Sequence, residues 1–175
     1  MHILENEHIQ LRAIEPEDLD VLYNWENDPD IWHLSNTLAP FSKYTLKKYL
    51  EQAHLDIFEA KQLRLIIQKK DDKQPVGAID LFDFDPIHKR AGVGILIGNA
   101  ADRRQGFASE ALQTLRDYAF GTLDLKQLYC NICEDNQASL KLFIQQGYVI
   151  TGQKKDWVKK GDLWISEYLL QLIRI

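Results

Sequence analysis

Apolar and polar residues alternate along "IQLRAI", residues 9–14, which is the period of a half-buried strand. "EPEDLDVLYNWEN" follows, and Pro16 at its start with acidic residues in its first turn predicts a helix. Two prolines and mixed polarity mark "DPDIWHLSNTLAPFS", residues 28–42, as a loop. Leu46, Tyr49, Leu50, Ala53 and Ile57 then recur at intervals of three and four, the stripe of an amphipathic helix from Thr45 to Ala60. "LRLIIQ" and "PVGAIDLFDF" read as strands joined by the polar turn "KKDDKQ". "DPIHKR" turns the chain into "AGVGILIG", a short apolar run expected at the centre of a sheet. A helix from Gln105 to Phe120 comes next, with Ala108, Leu112, Leu115 and Ala119 on one face. "KQLYCNIC" is a strand and "NQASLKLFIQQ" a helix, and "GYVITGQ" pairs with "LWISEYLLQL" around the turn "KKGD". The order is β-α-α-β-β-β-α-β-α-β-β, without repeat or linker, and it predicts one mixed α/β (α+β) domain over residues 1–175.

The 175 residues suffice for a full core, and the net charge of −5 argues against nucleic acid or an anionic membrane as the main partner. It suits a cationic substrate. No apolar run approaches a bilayer-crossing length, and "MHILENEHIQ" is too acidic for a secretory signal, so the expected location is cytoplasmic. Cys130 and Cys133 form a C-x-x-C, but on a strand residues three apart face opposite ways and no second pair completes a zinc site. Two core thiols, and no metal, are expected.

The chemistry gathers at "DRRQGFASEA", residues 102–111. Two cations at the positive end of a helix dipole are unfavourable unless an anion joins them. Gly106 lets a ligand approach the backbone, and the first N–H groups of the helix with Arg103 and Arg104 make an anion site fit for a pyrophosphate. Neither G-x-x-x-x-G-K-[ST] nor G-x-G-x-x-G is present.

The segment Arg103-Arg-Gln-Gly106-Phe-Ala108 fits [QR]-x-x-G-x-[GA], the acetyl-CoA signature of the GNAT N-acetyltransferases, which this chain resembles. "AGVGILIG" looks like that family's splayed fourth strand. Asn136, Ser139, Phe143, Gly147 and Tyr148 stand where its N-x-x-S-x-x-x-[YF]-x-x-x-G-[FY] segment would be. "LRAIEPEDL" and "YAFGTLDLKQLY" are most similar to the branch of spermidine and ribosomal-protein-alanine N-acetyltransferases. The resemblance implies a mixed central sheet with splayed fourth and fifth strands and helices on both faces, and acetyl-CoA as co-substrate without a metal. It implies that backbone groups of Ile95, Leu96 and Ile97 pair with the pantetheine arm, like an added strand. It further implies that amides of Arg103, Arg104, Gln105, Gly106, Phe107, Ala108 and Ser109 hold the pyrophosphate, while Asn136 and Ser139 touch the distal part of coenzyme A. An amine attacks the thioester directly, with an N–H near the fourth strand stabilising the oxyanion.

This sequence departs from the pattern at three places. The proton-donating tyrosine of the N-x-x-S segment is Phe143, the glutamate early in the fourth strand is Gly92, and the acidic polyamine loop is "IWHLSNTLAPFS". The catalytic residues therefore stay open. Asp83, Glu134 and His88 are candidates for moving the amine's proton, and Asp80 and Asp83, an odd number apart on one strand, cannot both face the cleft. Trp32, His33 and Asp80 are candidates for holding the amine, Trp32 by cation–π contact. The reading is acetyl transfer to a primary amine, with a polyamine-like acceptor preferred slightly over a protein N-terminus. A non-catalytic acyl-CoA-binding domain is the alternative that Phe143 and Gly92 motivate. The partner is a small-molecule or peptide amine, and a homodimer stays open.

Overall fold

The computed structural model describes residues 3–35 and 37–175, with side chains except those of residues 33–35. Strand β1 (Ile9–Ala13) leads through a short 3-10 turn into α1 (Leu19–Glu26), α2 (Pro29–Ser35), α3 (Lys43–Glu51) and α4 (Ile57–Ala60). Strands β2 (Leu63–Lys69), β3 (Pro75–Asp85) and β4 (Arg90–Ile97) follow as an antiparallel run. Then come α5 (Phe107–Gly121), β5 (Gln127–Cys133), α6 (Gln137–Gln145) and the hairpin of β6 (Val149–Lys160) and β7 (Leu163–Ile173). One seven-stranded sheet results, in the order β1-β2-β3-β4-β5-β7-β6, and β4 and β5 are its parallel pair.

Strand alternation sorts the core into two layers. Leu65, Ile67, Ile79, Leu81 and Val93 face one side and pack with Leu112 and Leu115 of α5 and with Leu140 and Phe143 of α6. Ile66 and Ala78 face the other side, with Leu22 and Trp25 of α1 and Leu50 of α3. Among the described residues no helix is long and apolar enough to cross a membrane.

Two expected elements differ from the structure. The expected loop over 28–42 contains α2, because Asp28 accepts the Asp30 N–H at 2.9 Å and Pro29 takes the first helical position. The expected helix over 45–60 is two. Ser42 caps α3 by accepting the Thr45 N–H at 3.0 Å, and Asp56 opens α4 by accepting from Phe58 and Glu59 at 2.8 and 3.0 Å. Ile57 keeps the apolar stripe going across that break, so periodicity alone reads through it.

The C-x-x-C lies on β5 with both thiols free. Cys130 is buried opposite Leu170, where burial pushes its thiol up to about 12, while Cys133 stands opposite Glu167 on the other face.

Candidate active site

Strands β4 and β5 are paired only from Arg90↔Gln127 to Gly92↔Tyr129, and beyond that they diverge. A cavity of about 320 Å³ opens in the gap, lined by Val93, Gly94 and Ile95 on one side and Cys130–Cys133 on the other. Asn136, Ser139 and Phe143 of the α6 region close one wall, and Lys160 and Glu167 of the β6–β7 hairpin line it as well.

The direction of the β4 backbone follows from one hydrogen bond. The Gly98 N–H donates to Val76 O at 2.9 Å, and antiparallel pairing repeats every second residue. Gly92, Gly94 and Leu96 therefore direct their backbone groups to β3, while Val93, Ile95 and Ile97 turn theirs to the gap. Ile95 and Ile97 thus present backbone groups to the gap. Leu96 does not, for its backbone belongs to β3 and its side chain packs in the α1–α3 layer. Val93, which the sequence reading passed over, has the right parity.

The loop before α5 explains its arginines. Arg104 and Gly106 have φ of 62° and 89°, so the chain turns sharply there; the Arg103 N–H, expected to meet the pyrophosphate, is instead donated to Ala100 O at 3.2 Å, and Gly106 stands at the cap without a side-chain hydrogen bond. A Cβ on Gly106 would meet nothing within 4 Å, so the glycine serves conformation and access rather than packing. The N–H groups of Phe107, Ala108 and Ser109 begin the 15-residue α5. Arg103, Arg104 and Gln105 are exposed, and neither arginine forms an ion pair among the described residues. The Ser109 hydroxyl accepts from Gln146 Nε2 at 2.6 Å, which ties α5 to the end of α6. This cradle and the cavity beside it fit a thioester carrier with a pyrophosphate.

Asn136 caps α6 by accepting the Ser139 N–H at 3.2 Å, and both residues face the cavity. Phe143 is buried in its wall, its ring edge-to-face with Tyr148 at 5.0 Å. Burial pushes the Tyr148 hydroxyl well above the usual tyrosine range, so it stays protonated.

Most carboxylates near the gap are already engaged. Asp80 meets Arg64 Nε at 2.6 Å, and Glu26 meets Arg64 Nη1 at 2.9 Å. Burial opposes the charge on Arg64, but Asp80 foremost, with Tyr49 and Glu26, raises it above the ordinary arginine range. Asp80 is thus placed as an arginine partner rather than as a free amine ligand. The Glu134 carboxylate accepts the Ser166 N–H at 2.8 Å and joins β5 to β7. Glu167 pairs with Lys154 at 2.5 Å. His88 lies in the exposed turn before β4, at the closed end of the gap, where its N–H donates to Asp85 at 2.9 Å.

Asp83 differs from these. It sits on a bulge of β3 at φ 48°, exposed, and the Tyr129 hydroxyl donates to it at 3.4 Å. No cation pairs with it among the described residues. Because the bulge breaks the alternation, the simple parity argument for Asp80 and Asp83 ends at Phe82. Trp32 is half-buried on α2, its Nε1–H donating to Glu26 O at 2.9 Å. The His33 side chain lies outside the described residues. Trp25 is core, and Trp157 and Trp164 are exposed on the hairpin.

Lys160 and Glu167 are the charged lining residues that sequence reasoning missed. The period-two pattern of β7, with Glu167 opposite Cys133, is the signal that places Glu167 on the cleft.

Comparison with known proteins agrees with this architecture. Residues 8–149 match the acetyltransferase (GNAT) domain family. The N-acetyltransferase p20 of Bacillus licheniformis, itself uncharacterized, is 29% identical over 99% of this chain and 97% of its own. The spermidine N(1)-acetyltransferase of Vibrio cholerae is 25% identical, over 94% of this chain and 97% of its own. A crystal structure of Vibrio cholerae spermidine N-acetyltransferase with CoA and spermine superimposes with a TM-score of 0.86 at 22% identity, covering 96% of both chains. The chain belongs to the GNAT acetyltransferase family, and its class of enzyme is the N-acetyltransferase.

Proposed function

We infer that this protein transfers the acetyl group of acetyl-CoA to a primary amine by direct attack, with a small di- or polyamine as the favoured acceptor. The observation that carries the reading is the gap beyond Gly92 and Tyr129, with the uncapped, arginine-flanked start of α5 beside it. In this reading the backbone groups of Ile95 and Ile97 pair with the pantetheine arm. The amides of residues 104–109 receive the pyrophosphate, and Asn136 and Ser139 bound the distal part of the carrier. The Val93 or Ile95 N–H, aimed into the gap, stabilises the oxyanion. The amine's proton leaves toward solvent past Asp83, a carboxylate near the closed end of the gap that has no ion pair among the described residues. A polyamine acceptor accords with the net charge of −5 and with the relatives named as spermidine acetyltransferases.

Ligand-induced stabilisation tests the site. Acetyl-CoA should raise the Tm by mass action, with NADH and ATP raising it much less. Gly106→Val, which forces a branched side chain to φ 89°, should abolish the shift; a variant that binds normally would remove the α5 loop from the account.

A further inference from the structure

The position where relatives carry a proton-donating tyrosine is Phe143, which can give nothing to a departing thiolate, yet the wall of its cavity is not without charge. Among the described lining residues Lys160 is the one cation. It ends β6 opposite Leu163, with its ammonium 2.7 Å from Asp135 Oδ2 and its side chain 22% exposed. Asp135 lies between Cys133 at the end of β5 and the α6 cap Asn136, so the ion pair holds Lys160 over the cleft.

Cys133 reports what a sulfur experiences there. Burial raises its thiol most, and the strongest influence in the opposite direction is the charge of Lys160, ahead of Lys154. Glu167 and Asp135 act against it, so among the charges around this sulfur Lys160 is the strongest that favours an anion.

We propose that Lys160 is the charge partner of the leaving thiolate, in place of the tyrosine absent at position 143. The role rests on the acetyl-transfer reading above. The amine nitrogen forms the C–N bond, the C–S bond breaks with both electrons going to sulfur, and the amine's proton reaches the thiolate through solvent. Lys160 acts by its charge alone and transfers no proton in this step.

The test is a titration of bound coenzyme A by its ultraviolet thiolate absorbance, taken as a difference from the protein alone. The bound thiol should titrate at least about one pH unit lower on the wild type than on Lys160→Met, and Lys160→Arg should keep the lower value. With a responsive amine, kcat of Lys160→Met should fall about tenfold, the rate equivalent of one unit, while its affinity for acetyl-CoA is unchanged. Lys160→Gln replaces the methionine variant if that one does not fold. Identical thiol titrations in wild type and variant would overturn the proposal. A wild type that binds no coenzyme A would remove the acetyl-transfer reading itself, so the two failures are distinguishable.

Discussion

Gly92 lies directly under Phe82: a Cβ built on Gly92 would stand 2.3 to 2.8 Å from three carbons of the ring. Phe82 also meets Tyr129 edge-to-face at 6.0 Å, so the aromatic pair fills the closed end of the gap, at the position where the family resemblance implies a glutamate. The glycine and the phenylalanine are one packing solution. Gly92→Glu should therefore lower the Tm and fail to raise kcat, because the ring must be expelled before the carboxylate can enter. Gly92→Glu with Phe82→Ala should be destabilised by less than the sum of the single changes, since neighbouring residues couple. Strict additivity in chemical denaturation would contradict that relationship.

Arg64 bridges Glu26 and Asp80 between α1 and the sheet, and its side chain is 24% exposed. Arg64→Leu leaves two carboxylates without their cation in a half-buried site. The expected loss is about 3 kcal/mol, the lower end for breaking such a group, by urea denaturation. Removing the charge on one acid at a time, as in Asp80→Asn, should cost clearly less.

Phe143→Tyr places a hydroxyl in the cavity wall at nearly constant ring size. We expect kcat to rise by less than about tenfold in the wild-type background, short of the 10²–10⁴ of a full general acid, because Lys160 already stabilises the thiolate. In Lys160→Met the same change should recover most of the lost rate. A thousandfold gain in the wild-type background would contradict a resident route for the leaving group.

His8 bonds to Glu110, one turn into α5, at 2.6 Å, and this hydrogen bond is the main cause of its raised pKa, followed by the charge of Glu110. A raised pKa in the folded state means that the pair's contribution is complete below the unfolded value of about 6.5 and fades as pH rises through the folded value. The Tm difference between wild type and His8→Gln should therefore shrink on going from about pH 6 to 8.5. A difference that grows with pH would exclude the pair as its source.

The strands, the long α5 and the motif-bearing loops were legible because alternation, periodicity and a short signature act within a few residues. What stayed hidden depends on contacts distant in sequence or on a single cap. Asp56 splits a helix that its apolar stripe presents as continuous. Asp80 meets Arg64, 16 residues away, and only strand register shows that this carboxylate is engaged. Leu96 is excluded from the gap by the parity of one β3 hydrogen bond. Lys160 reaches the cleft because β7 pairs alongside β5 and brings the end of β6 to Asp135, which no local pattern in "KKGD" announces.

The central claim is acetyl transfer to an amine in the gap between β4 and β5. Its most direct test incubates the protein with acetyl-CoA and a panel of polyamines, aminoglycosides, amino acids and ribosomal peptides, following free thiol and the acetylated amine by mass spectrometry. The account predicts stoichiometric release of coenzyme A with a mono-acetylated small amine, spermidine-like compounds foremost. Acetyl-CoA binding that raises the Tm while no amine in the panel becomes acetylated would contradict it.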